Sequence, residues 1–267
     1  MFVKILNYTF HYSFSGNKAQ PVMLLLHGFM GNCQDFQEVV SVLAERFFCL
    51  AVDLPGHGKT EVIGPEECYN LANTAQALIQ FLDRLAIEKC YLLGYSMGGR
   101  LALYLTLHFP SRFQKVILES ASPGLKMQEA RLQRLKTDLL LAQKLETGDF
   151  KEFLLNWYNQ PLFQSLKTQP KFDELIERRL QNRPVELAKS LRNLGTGNQP
   201  SLWESLANNH IPILLLVGAY DRKFIAINQE MIALSQKIQL NIISNSGHNV
   251  HWENPKDYLN AMIDFCG

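Results

Sequence analysis

GYSMGG, at positions 94–99, decides the fold of this 267-residue chain. It fits the pattern G-x-S-x-G, in which a serine lies on a sharp turn between a strand and a helix. An apolar run at 90–93 precedes the serine and a helical pattern starts at Gly98, so both flanks fit. The strained turn favours small residues two before and two after the serine. The stretch therefore predicts a nucleophile at Ser96; the alternative is a helix-capping serine.

Outward from this turn, short apolar runs alternate with helical patterns. The runs are at 22–27, 47–53, 90–94, 115–119 and 211–218, with a weaker one at 237–244 and one or two edge strands within 2–13. The main helical patterns are at 35–46, 70–85, 98–109 and 224–235. Unbroken apolar runs are typical of parallel strands buried on both faces. The alternation predicts an α/β fold with a mostly parallel, doubly wound sheet.

One long segment interrupts the alternation. Residues 125–205 contain no convincing strand, and their helical patterns lie at 129–145, 150–158, 172–181 and 186–194. We interpret 125–205 as a helical cap inserted into a core made of 1–124 and 206–267. The alternative is a second independent domain, for which these helices look too few and too short.

Composition excludes several classes of function. The chain has 26 basic and 25 acidic residues, a net charge of +1, which gives no general attraction to nucleic acid or membrane. Its five cysteines form no C-x-x-C pair, and no signal peptide or long apolar stretch is visible. We expect a cytoplasmic protein, a monomer or weak homo-oligomer, with no metal site and no cofactor.

Two further residues complete a catalytic set. In the α/β-hydrolase fold the serine is followed along the chain by an acid and then a histidine. Asp221 ends the run at 211–218 with a short turn, and His248 follows glycine in the last loop. The histidine accepts the proton of the serine, and the carboxylate holds its tautomer. We therefore predict the triad Ser96, Asp221 and His248, with His251 as the competitor of His248.

The stretch HGFMG at 27–31 predicts an oxyanion hole. It follows the first strong strand, so the backbone N–H of Phe29 would lie opposite that of Met97. The alternative is a simple strand-to-helix turn. His57, in the loop after the next strand, is expected to stabilise that loop and not to react.

Arginines narrow the class of substrate. Arg100 lies in the first turn of the helix after Ser96, where a cation faces the positive end of the helix dipole. Either a buried carboxylate or a substrate anion must offset this. The cap carries further arginines, at 131, 134, 178, 179, 183 and 192. Because arginine binds carboxylates with two parallel hydrogen bonds, the set indicates a small, multiply carboxylated substrate.

The sequence resembles the 2-succinyl-6-hydroxy-2,4-cyclohexadiene-1-carboxylate synthases of menaquinone and phylloquinone biosynthesis over nearly its whole length. The matching stretches are LHGFMG (26–31), VDLPGHG (52–58), GYSMGGR (94–100), ESASPGL (119–125), WYNQP (157–161), GTGNQPS (195–201), DRKF (221–224) and GHNVH (247–251). The resemblance implies a lyase that eliminates pyruvate from a cyclohexene tricarboxylate, with the triad serine as the base.

The same resemblance implies a set of substrate-binding residues. They are Tyr95, Arg100, Arg134, Trp157, Tyr158 and Arg179, with Arg178 as the alternative to Arg179. The three aromatic residues could instead be core residues. Two other functions use the same scaffold: a serine hydrolase of a small carboxylated ester or C–C bond, and a binding protein without activity. The arginines favour the lyase over the first, and the intact triad argues against the second.

Overall fold

The computed structural model describes all residues 1–267. Nine strands form its sheet. They are β1 (Phe2–Ile5), β2 (Tyr8–Ser15), β3 (Val22–Leu26), β4 (Phe48–Val52), β5 (Glu61–Val62), β6 (Cys90–Tyr95), β7 (Phe113–Glu119), β8 (Ile213–Gly218) and β9 (Ile238–Ile243). The strand order is β1-β2-β4-β3-β6-β7-β8-β9, with β5 beside β2. β2 pairs antiparallel with β1, β4 and β5. All other pairs, from β4 to β9, are parallel.

Helices cover both faces of the sheet and also make up the segment between β7 and β8. They are α1 (Gln37–Leu43), α2 (Leu71–Arg84), α3 (Met97–His108), α4 (Gln128–Thr147), α5 (Phe150–Tyr158), α6 (Phe172–Leu180), α7 (Pro184–Leu194), α8 (Trp203–Leu206), α9 (Arg222–Ile232), α10 (Val250–Glu253) and α11 (Pro255–Cys266). The helices α8, α10 and α11 lie outside the helical patterns predicted from the sequence.

Burial explains why the apolar runs are strands. Every residue of β8 is buried, as are the last four of β3 and of β7. Alternate side chains of these strands enter two separate apolar clusters, one on each face of the sheet. The predicted mostly parallel, doubly wound α/β fold is therefore confirmed. One detail differs: β2 is not an edge strand, because it pairs with β1, β4 and β5.

The segment between β7 and β8 contains α4 to α8 and no strand. Its apolar side chains form a third cluster, and that cluster includes Met30 of the loop after β3. The helices therefore bury apolar surface against the loop predicted to form the oxyanion hole. The division into a core (1–124 and 206–267) and a cap (125–205) remains our proposal.

No helix is both long and apolar enough to cross a bilayer. All five cysteines are buried and unpaired.

Candidate active site

Ser96 lies on a strained turn between β6 and α3. Its backbone has φ 49° and ψ −106°, a conformation that costs a non-glycine residue about 1–3 kcal/mol. The surrounding structure holds it there, since the Ser96 N–H donates to the carbonyl of Glu119 at 2.8 Å. Glycine is required at position 98, because a Cβ there would lie 2.2 Å from the carbonyl oxygen of Leu26. The predicted strand–turn–helix geometry is thus present.

A chain of hydrogen bonds joins Ser96, His248 and Asp221. The distance from His248 Nε2 to Ser96 Oγ is 3.0 Å, and that from His248 Nδ1 to Asp221 Oδ2 is 2.7 Å. A carboxylate oxygen only accepts, so Nδ1 carries the proton and Nε2 is free to accept one. Asp221 is fixed in turn, since its Oδ1 accepts the backbone N–H of Phe224 at the start of α9. The geometry suits transfer of a proton from the serine to the histidine.

His251 lies elsewhere. Its Nδ1 donates to the buried carboxylate of Glu119, at 2.7 and 2.9 Å from the two oxygens. Of the two candidate histidines, the structure therefore brings His248, and not His251, to Ser96.

The loop after β3 faces Ser96 across a cavity. Phe29 and Met97 both line this cavity together with Ser96 and His248. Met97 is the first residue of α3, so its N–H has no acceptor within the helix. Beneath the loop, His27 donates from Nδ1 to the Gly28 carbonyl and accepts the Leu54 N–H at Nε2. Burial lowers the pKa of His27, which keeps it neutral in this bridging role.

The cavity has a volume of about 440 Å³, the size of a small-molecule site. The core contributes Ser96, Arg100, Lys223, Phe224 and His248 to its lining. The helical segment contributes Lys126, Arg134, Trp157, Gln160 and Phe163. The lining is half apolar, with its charge concentrated in cations.

Arg100 has no carboxylate partner. Its Nη1 donates to Gln199 Oε1 at 3.2 Å, and Gln199 is held by the Ser122 carbonyl. Burial lowers the pKa of Arg100 to about 10, with the charge of Arg134 adding to the effect. The group is still protonated at neutral pH, so its charge is available to an anion. Of the two explanations for Arg100, a directly paired carboxylate is not found; the buried carboxylate of Asp138 pairs with Arg134 and only partly offsets the lowering of the Arg100 pKa.

Arg134 is the second cavity guanidinium. Its Nε donates to Asp138 Oδ1 at 2.7 Å, and Asp138 Oδ2 also accepts the Gly197 N–H. The Arg134 side chain is 35 % exposed. The Asp138 pair therefore holds the stem of Arg134 while the ends of its guanidinium remain free.

The structure does not bring Arg179 to the cavity. Arg179 forms two 2.7 Å hydrogen bonds with Asp35 and a third, at 3.1 Å, with the Tyr158 hydroxyl. Both charged side chains are almost fully buried. Burial raises the pKa of Asp35, but the guanidinium outweighs it and holds that pKa below its usual value. This correction follows from the pairing: three of the five N–H donors of Arg179 are used in a buried contact between α6 and the loop after β3, and its side chain does not line the cavity.

The alternative, Arg178, also lies outside the cavity. Its Nη1 donates to the Gln34 carbonyl, and its guanidinium stacks on Trp252. Among the predicted aromatic residues, Trp157 lines the cavity, whereas Tyr95 and Tyr158 do not. Tyr95 supports the oxyanion loop instead, since a Cβ on Gly28 would lie 2.6 Å from its ring.

Sequence reasoning missed the lysines of the cavity. Lys223 is exposed and makes no ion pair, and Lys126 pairs with Glu230. The sequence carried one signal for Lys223, its position two residues after Asp221.

The fold, the strained turn and the hydrogen-bonded Ser–His–Asp set define an α/β-hydrolase-fold protein. The family described as alpha/beta hydrolase fold matches residues 21–255. Within it, the chain belongs to the 2-succinyl-6-hydroxy-2,4-cyclohexadiene-1-carboxylate synthase family. A protein of that name from Serratia proteamaculans is 32 % identical over 251 residues, 94 % of each chain. Another, from Escherichia coli O1:K1, is 33 % identical over 247 residues, 92 % of this chain and 94 % of the other.

A solved structure agrees with this assignment. The structure of MenH from Staphylococcus aureus superposes with a TM-score of 0.89 at 31 % identity and covers 98 % of both chains.

Proposed function

We propose that this protein eliminates pyruvate from 2-succinyl-5-enolpyruvyl-6-hydroxy-3-cyclohexene-1-carboxylate to give 2-succinyl-6-hydroxy-2,4-cyclohexadiene-1-carboxylate. The observation that carries the proposal is the half-buried Arg100 guanidinium, which lines the same cavity as Ser96 and forms no ion pair with a carboxylate. Even a partly buried cation without a paired anion is costly unless a ligand supplies one. The substrate has three carboxylates, on the ring, on the succinyl arm and on the enolpyruvyl group.

The reaction needs a base and a stabiliser of developing negative charge. Ser96 Oγ, relieved of its own proton by His248 Nε2, takes the proton from ring carbon 2, which is acidified by the adjacent succinyl ketone. The C–H electrons form the bond between carbons 2 and 3, the existing double bond moves to carbons 4 and 5, and the carbon 5–oxygen bond breaks. Enolpyruvate leaves and takes a proton to become pyruvate. No water is consumed.

The oxyanion donors act on an enolate in this scheme. Removal of the proton from carbon 2 places negative charge on the succinyl carbonyl oxygen. The backbone N–H groups of Phe29 and Met97 are fixed donors for that oxygen, which is stronger stabilisation than mobile water provides. Asp221 holds His248 in the tautomer that accepts at Nε2.

Cations around the cavity are proposed to bind the three carboxylates of the substrate. We assign Arg100 and Arg134 to two of them. Because Arg179 is paired with Asp35 outside the cavity, we assign the third to Lys223, which lies on α9 and lines the same cavity as His248. The proposed cap, residues 125–205, supplies Arg134 and Trp157 and roofs the cavity.

Replacement of Arg100 by alanine is expected to weaken substrate binding while the fold persists. Loss of a charged hydrogen bond costs roughly 1.5–3 kcal/mol, which is about a ten- to hundredfold rise in KM. Steady-state kinetics measures it. Arg84→Ala, which removes an exposed arginine of α2 with no side-chain partner, is the control and should behave as wild type. A wild-type KM in Arg100→Ala would remove this residue from the binding site.

A second candidate is supported by the complete triad: hydrolysis of a small carboxylated ester or C–C bond with Ser96 as nucleophile. The test runs both reactions in parallel. Pyruvate release from freshly made cyclohexene substrate is followed with a coupled dehydrogenase, beside cleavage of a p-nitrophenyl ester. Fast pyruvate release that Ser96→Ala abolishes, with negligible ester cleavage, supports the lyase. Ester cleavage without pyruvate release refutes it and favours the hydrolase.

A further inference from the structure

A single carboxylate holds the backbone on both sides of His248. Glu253 Oε2 accepts the Gly247 N–H at 2.9 Å, and Glu253 Oε1 accepts the Asn249 N–H at 3.2 Å. These two N–H groups flank the residue that carries the imidazole. From this geometry we infer that Glu253 is a positioning residue, which sets the distance and direction of His248 Nε2 relative to Ser96.

The surroundings of Glu253 argue against an ordinary surface role. No lysine, arginine or histidine forms an ion pair with it. Its surroundings are partly buried, and this burial raises the pKa of Glu253, with Glu119 adding to the effect. Only N–H and hydroxyl donors compensate the carboxylate. A partly buried acid that is paired with backbone N–H groups and with no cation is expected to hold that backbone.

The far end of the same loop is anchored by Glu119. Its fully buried carboxylate accepts both the N–H and the Nδ1–H of His251. The backbone carbonyl of Glu119 accepts the N–H of Ser96 at 2.8 Å. One residue of β7 therefore ties the nucleophile turn to the histidine loop. Glu253 therefore holds residues 247 and 249 of the loop, and Glu119 holds residue 251.

Glu253 also connects the loop to the helical segment. The Ser165 hydroxyl, between α5 and α6, lies close enough to the Glu253 carboxylate to lower its pKa, against the effect of burial. Contact is close here, because a Cβ on Gly247 would lie 2.3 Å from Ser165 Oγ. A side chain at position 247 would therefore displace the Ser165 hydroxyl, so the position of Ser165 bears directly on the loop that carries His248.

The inference rests on the proposed roles of Ser96 and His248, but not on the identity of the substrate. Glu253→Gln keeps one accepting oxygen and turns an NH₂ group toward one of the two N–H donors, whereas Glu253→Ala removes both acceptors. We expect kcat to fall about tenfold in the first and roughly a hundredfold in the second, since small misplacements of catalytic groups have effects of this size. KM should stay within about twofold, because no substrate contact is lost.

Two readouts separate positioning from mere loss of structure. The rate at which phenylmethanesulfonyl fluoride labels Ser96 should fall in parallel with kcat. Both rates are divided by the folded fraction, which circular dichroism measures. The low-field proton resonance of His248 Nδ1–H should shift or broaden. Ser165→Ala, a milder change, should lower kcat in the same direction by a smaller factor. Glu45→Gln, an exposed glutamate without side-chain partners, is the matched control and should match wild type.

Wild-type kcat, labelling rate and proton resonance in folded Glu253→Gln and Ser165→Ala would overturn the inference. Failure of the proposed function would look different. In that case Ser96→Ala would release pyruvate as wild type does, or wild type would release none, whereas labelling of Ser96 would still report the effect of Glu253.

Discussion

Ser96→Ala is expected to fold normally and to lose nearly all pyruvate release. Removal of a positioned base costs roughly 10²–10⁴-fold in kcat. The side chain is small and partly exposed to the cavity, so its oxygen contributes little to packing. KM should change little, because the cavity cations remain. Steady-state pyruvate release and the thermal unfolding midpoint together measure the two effects.

The control for this prediction is a second variant in the same hydrogen-bonded chain. His248→Ala should lose a similar factor, and Ser96→Ala/His248→Ala should be hardly worse than either single variant, because the two residues act as a unit. Multiplicative losses in the double variant would mean that the serine and histidine act in separate steps.

Arg179→Met is expected to destabilise the protein by about 3–5 kcal/mol, since it leaves the Asp35 carboxylate buried without its partner. Chemical denaturation measures this. The pKa of folded Asp35 lies below its usual value, so the pair stabilises the protein above the ordinary aspartate pKa of about 4 and loses this contribution as pH falls through the folded value. The difference between wild type and variant should therefore shrink in acid.

The matched control removes both charges. Asp35→Leu/Arg179→Met should recover most of the lost stability, because replacing a whole buried pair by apolar side chains is often close to neutral. If instead Arg179→Met folded as stably as wild type and showed a raised KM, Arg179 would be a substrate ligand, and the cap-to-core contact would open in solution.

Local patterns predicted the fold, and they named three residues that hydrogen bonds join in the structure. The elbow at Ser96 has a glycine pattern that follows from backbone strain, and the order of Asp221 and His248 is that of the α/β-hydrolase fold. Both signals are written within a few residues of the side chain concerned. This is why the sequence could name three residues that meet in space, although Ser96 and His248 are 152 positions apart in the chain.

The rest depends on pairings that no local pattern contains. Arg178 and Arg179 are adjacent, so only the rotation of α6 decides which meets Asp35, 144 positions away in the chain. The sequence could predict a cation at Arg100, but it could not predict that no carboxylate forms an ion pair with it. Likewise, Glu253 reads as an ordinary helix residue until its oxygens are seen to accept N–H groups on both sides of His248.

The most direct test of the central claim is the mass of the ring product after a single turnover. An elimination gives the conjugated diene, which equals the substrate minus pyruvic acid. A hydrolysis that also releases pyruvate gives a ring alcohol that is heavier by one water. We predict that wild type forms the diene and that Ser96→Ala forms it far more slowly. The alcohol as the main product would contradict the lyase and would make the protein a hydrolase.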